Sequence, residues 1–253
     1  MYKSSVLSMI GIPFSGDDLN VSLLLMAILK KRAKLSGVDE TERLLEPDYV
    51  SDFYPKIIGK EIKERNSRSL TQAEKNIISD AIDYILDIIP EWYCFFYSFD
   101  FCIKAGTGKE KSYSHPQIPQ TYVVNEKIIA SGNIVKLSEM IIHEVSHVWF
   151  GLICELNDFQ TLNSREDYVL PSGIKGRNPR GLILALYYAI PVAIFYRKIG
   201  NNEQVEQLIS YANGIISSYD VFSKELTGTG KDLVEKAKLI ICSMEKSYES
   251  NFA

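Results

Sequence analysis

Apolar positions recur along most of this chain with the spacing of a helix. Residues 17–34 carry Leu19, Leu23, Met26, Ala27 and Leu29 as one stripe, which predicts a helix. Ser15 and Asp17 are its candidate caps, Lys30, Lys31 and Arg32 stand where the helix dipole favours cations, and Gly37 ends it. Residues 42–54 predict a short helix between Pro47 and Pro55. Thr71 and Glu74 form a capping box. It opens a periodic run with Ile77, Ile78, Ala81, Ile82, Ile85, Ile88 and Ile89 that stops at Pro90. The aromatic-rich segment 92–103 predicts a strand, and 120–124 a second one. Longer helices are expected over 137–156, 181–198, 203–217 and 231–248. No repeat or long linker interrupts this pattern, so 1–253 reads as one domain, mainly α with a small β-sheet.

Composition narrows the class. With 46% hydrophobic and 24% charged residues, the chain can bury a core and reads as soluble and globular. A formal net charge of −4 supplies no attraction to nucleic acid or an anionic membrane, and neither is expected as a partner. The most apolar stretch, 181–196, predicts a buried core helix interrupted by Pro191, not a membrane span. Residues 1–18 lack the pattern of a secretory leader, and Cys94, Cys102, Cys154 and Cys242 show no CxxC pairing. A cytoplasmic setting with buried free thiols is therefore expected. Gly106, Gly108 and Lys109 lack the spacing of a phosphate loop.

The chemistry concentrates at His143, Glu144, Val145, Ser146 and His147, an HExxH. On a helix the two histidines lie one turn apart on one face, so their imidazoles can converge on one divalent metal. Glu144 stands beside them, able to serve a bound water. Met140, Ile141, Ile142, Val145 and Val148 make the surrounding helix apolar, which predicts that the three polar side chains are buried. A metal would offset the cost of that burial. Glu155, eight residues past His147, is too far along the same helix to be a third ligand.

Two resemblances follow from the flanking residues. His147 is followed by Trp149, Phe150 and Gly151, with Glu166 downstream, and this run resembles the gluzincin aminopeptidases. That likeness implies a zinc peptidase with Glu166 as third ligand and Glu144 as general base. The Gly-x-Met-Glu-Asn element of those enzymes is absent, and Glu166 lies in an Asn-Ser-Arg-Glu-Asp context rather than Asn-Glu-Gly.

The second resemblance runs along nearly the whole chain. Ser112, Ser114, Pro116 and Pro119 before Tyr122 are similar to the approach to the motif in α-ketoglutarate-dependent HExxH-type peptide β-hydroxylases, also described as HExxH-motif peptide-modification proteins. Tyr168, Pro171 and Lys175, then Arg177, Pro179, Gly181 and Tyr187, then Leu226, Thr227 and Gly230 resemble later segments of that family in the same order. The resemblance implies an iron(II) and α-ketoglutarate oxygenase that hydroxylates a peptide, or a carrier-bound peptide, in natural-product biosynthesis. It places His143 and His147 as iron ligands. Arg177 and Arg180, with Lys175 behind them, are then the cations for the distal carboxylate of α-ketoglutarate.

The family's downstream histidine falls on Leu184 here. Glu166 or Asp167 could complete the site, or His115 could enter from the serine-rich segment. An open position could instead admit chloride and change the outcome to halogenation, or the protein could be a non-catalytic member that binds a partner.

Overall fold

Helix dominates the described chain and one small mixed sheet accompanies it, as the periodicity predicts. The computed structural model describes residues 6–15, 19–37, 42–58, 66–114 and 118–249. No linker divides the sequence, and the contacts gather in two compact units: Val21–Leu156, and the segments Met1–Asn20 and Asn157–Ala253 taken together. In chain order the elements are α1 (Val6–Ile10), α2 (Val21–Ser36), α3 (Pro47–Ile58), β1 (Ser67–Ser69), α4 (Gln72–Ile88), α5 (Tyr93–Tyr97), β2 (Cys102–Gly106), β3 (Ser112–Ser114), β4 (Thr121–Asn125), α6 (Glu126–Ile129) and α7 (Ile134–Leu156). They continue with α8 (Pro179–Lys198), α9 (Asn202–Ser217), α10 (Tyr219–Phe222) and α11 (Gly228–Glu249).

In the Val21–Leu156 unit the sheet order is β1-β2-β4-β3. β2 and β4 run parallel, while β1 and β3 pair antiparallel to them at the two edges. The long helix α7 packs on β3 and β4 and against α2, α4 and α5. Its fully buried Trp149 anchors it. The indole Nε1 donates to the Phe95 carbonyl at 2.9 Å, and the Phe95 and Phe99 rings lie 5.7 and 5.0 Å away. Thr71 and Glu74 close the predicted box at the start of α4, and Arg68 on β1 holds Glu74 at 2.8 Å.

Several predicted elements change. Residues 92–103 are not one strand: a 3₁₀ turn at Pro90–Trp92 leads into α5, and only Cys102–Gly106 is extended. Pro90 suits the first helical turn, and burying Trp92, Phe95 and Phe96 outweighs the aromatic preference for strand. Within α2, Leu24, Ile28 and Arg32 are buried, while Leu23 and Met26 are 40% and 67% exposed. The inward stripe is therefore one position off the predicted one, and the helix begins at Val21; Asp17 lies outside the described residues. Gly37 ends α2 as expected, at φ +68°, where a Cβ would be strained.

Arg32 is not a solvated cation at a helix end. It is fully buried, and it binds Glu155 of α7 through Nε at 3.0 Å and Nη2 at 2.7 Å. Its Nη1 donates to the Leu44 carbonyl and to Gln120. Helix α3 begins at Pro47 and continues through Pro55 to Ile58. The cysteines are free thiols, as expected, but Cys242 is exposed and the other three are half-buried.

In the other unit α8, α9 and α11 pack on one another, and Tyr187 donates to the Leu233 carbonyl at 2.8 Å. Asn178 caps α8 by accepting from the Gly181 amide, and Pro179 opens the helix. Pro191 sits inside α8 without ending it. Among the described residues α8 is the helix long and apolar enough to cross a bilayer, and 72% of its most apolar window is buried in the protein, as a core helix requires.

Candidate metal centre

Helix α7 carries the HExxH near its middle, so the geometry of the motif is set by an unbroken run of backbone hydrogen bonds. His143 and His147 turn their rings to the same side. Their Nε2 atoms are 2.8 Å apart, with ring centroids at 4.5 Å and planes at 82°. Two imidazole nitrogens bound to one ion at about 2.1 Å each stand roughly 3.0–3.4 Å apart, so this pair needs a shift of only a few tenths of an ångström to share a cation. The donor set therefore fits a divalent metal at two positions. Among the described residues no group of three His, Cys, Asp or Glu side chains is arranged to hold one.

Glu144, the next residue of α7, is buried in the protein. It is 1% exposed, and its Oε1 lies 3.9 Å from His143 Nε2. Its Oε2 is buried and has no hydrogen-bond partner among the described residues. Burial pushes the carboxyl up to about 7, against the opposing pull of hydrogen bonds from the Ser112 and Ser114 hydroxyls. Fully buried Tyr122 on β4 faces the same group, and burial together with the Glu144 charge pushes its phenol well above the usual range. The prediction that all three polar side chains are buried holds for Glu144 alone. His143 and His147 are half-buried, because i and i+4 place them on the flank of a helix whose other faces pack inward.

The remaining predicted residues are placed as follows. His115 lies outside the described residues. Glu166 and Asp167 are exposed, in the connection between α7 and α8 that belongs to the second unit. Lys175 and Arg177 are exposed there too, and Arg177 pairs its backbone with Tyr168. Arg180 is half-buried at the start of α8, where its amide donates to Gln160 at 2.9 Å and its guanidinium lies 3.9 Å from Asp158. Leu184 is half-buried on α8.

Sequence reasoning missed the environment of Glu144. Ser112 and Ser114 stand two apart on β3, so both hydroxyls share one face. That alternation is the signal that could have found them. No protein-family model matches the chain, and no curated protein matches it.

Proposed function

We propose that this protein is a mononuclear metallohydrolase of peptides, with His143 and His147 holding a divalent ion such as zinc and Glu144 acting as the base. The observation that carries this reading is the convergence of the two Nε2 atoms at 2.8 Å beside a buried carboxylate on the adjacent helical position. A divalent ion held there supplies Lewis acidity toward a carbonyl or water oxygen. Glu144 takes the proton from the attacking water as its oxygen bonds to the carbonyl carbon, and returns a proton to the departing amine nitrogen. Strand β3, at the end of the sheet and paired only with β4 among the described strands, offers an edge to which an extended peptide can add.

A second reading, the iron(II) and α-ketoglutarate oxygenase, draws support from one local feature. The segment with Arg177, Pro179 and Arg180 that resembles the β-hydroxylases' helix start is here a capped helix start. In that reading Arg177, Arg180 and Lys175 are the cations for α-ketoglutarate, and the substrate is a peptide in a cytoplasmic setting.

One experiment separates the readings. The protein is purified anaerobically, its metal is measured, and peptides are offered with and without oxygen and α-ketoglutarate. The expected outcome is about one divalent ion per chain, lost in His143→Ala/His147→Ala, with oxygen-independent cleavage abolished in Glu144→Gln. Succinate formation that requires iron and oxygen would favour the oxygenase, and equal metal content in the double variant would end both readings.

A further inference from the structure

We propose that Gly151 is a specificity-determining residue: its missing side chain keeps open a space beside His147 that takes an apolar side chain of the peptide. This deepens the hydrolase reading and rests on its metal centre. Gly151 stands four residues after His147 and seven after Glu144 on α7, so the three share one flank of the helix over two turns. It is half-buried, and a Cβ added to it would meet nothing within 4 Å among the described residues. Side chains on a helix lean back over the turn N-terminal to their own Cα. Any side chain longer than a methyl at 151 would therefore lie over the turn that carries His147.

Glycine inside a helix is less stable than alanine, and close packing is the ordinary reason to find it there. Two other helical glycines have that reason. A Cβ at Gly214 of α9 would stand 2.8 Å from Pro171 Cγ, and one at Gly230 of α11 would collide with the Phe159 carbonyl oxygen. Gly151 lies well inside the 23-residue α7, and neither packing nor a left-handed φ requires glycine there. A local rule broken without a structural return, one turn from the histidine pair, marks room kept for a ligand. The chemistry around it is uncharged. Val148 and Cys154, three residues to either side, adjoin Gly151 on the helix surface, and Glu155 is taken up by Arg32 at 2.7 Å. The space therefore suits an apolar side chain.

The test is titration of the full-length, cobalt(II)-loaded protein with two hydroxamates, followed by the cobalt absorption bands. Acetohydroxamate probes the metal alone, and 4-methylpentanehydroxamate adds the branched chain of a leucine. Wild type should bind the larger probe about tenfold more tightly, because its chain fills the space. Gly151→Leu should keep the affinity for acetohydroxamate within about twofold and lose about tenfold or more for the larger probe. Gly151→Ala adds one methyl into open space, so it should raise the urea midpoint and lose part of the preference for the larger probe. That keeps the test decisive if the leucine variant does not fold. A Gly151→Leu protein that binds both probes as wild type does overturns the inference. So does a lower urea midpoint in Gly151→Ala, which would show that packing demands the glycine. The expected discrimination, together with no oxygen-independent peptide cleavage, would leave the inference intact and refute the hydrolase reading instead.

Discussion

At Glu144 burial and two serine hydroxyls pull one carboxyl in opposite directions, and burial wins. The folded-state value of about 7 lies above the ordinary 4.5, so folding takes up a proton. The contribution to stability is fully present below about pH 4.5 and is lost as pH rises through about 7. Each unit is worth 1.36 kcal/mol, so the metal-free protein should lose roughly 3 kcal/mol over this window relative to Glu144→Gln, which carries no titrating group there. Urea unfolding of both proteins at about pH 5 and pH 8 measures it. Parallel pH dependence of the two proteins would refute the assignment. The motif was legible at this scale because i and i+4 on a helix are local. The setting of Glu144 was not, because it depends on the pairing of β3 with β4 and on the docking of α7, which no spacing along the chain states.

At the scale of elements, the tie between α2 and α7 carries a sharp expectation. Arg32 and Glu155 form a bidentate pair with side chains 0% and 7% exposed. Removing one partner leaves a buried charge uncompensated, so Glu155→Ala should cost roughly 3–5 kcal/mol. Replacing both by apolar residues of similar volume, Arg32→Met/Glu155→Leu, should recover most of that loss. Chemical denaturation of the three proteins decides the matter; a single variant within about 0.5 kcal/mol of wild type would show that the pair holds nothing. This pair also explains a misread helix. The sequence placed Lys30, Lys31 and Arg32 together as a basic end, and nothing local says that Arg32 turns inward to the Glu155 carboxylate on α7 while Lys31 donates to the carbonyl of the same residue. The capping box of α4 was legible because both partners lie within four residues. The fate of residues 92–103 was not, because Phe95 and Phe99 choose their conformation by packing against Trp149.

At the scale of the whole molecule, helical dominance was legible from periodicity, whereas the grouping of contacts into two units was not, since no linker marks it. The unit Val21–Leu156 is continuous in sequence, and the other is assembled from both ends of the chain. The continuous unit contains the entire four-stranded sheet, α7 and the buried positions Leu24, Ile28, Ile78, Ile85, Val124, Ile141 and Trp149. It also contains both tryptophans of the chain, 4% and 0% exposed. A protein comprising only 21–156 should therefore unfold cooperatively, and its tryptophan emission should match that of the full chain, because Phe95 and Phe99, the rings against Trp149, belong to the same unit. A red-shifted emission with a broad, non-cooperative transition would show that the unit does not stand alone. Since His143, Glu144 and His147 all lie within it, the fragment should also bind cobalt(II) through the two imidazoles, and His143→Ala/His147→Ala should abolish that binding. A fragment that folds with native tryptophan emission yet takes up no cobalt would mean that two convergent imidazoles are not enough, and the proposed centre would lose its foundation in this unit.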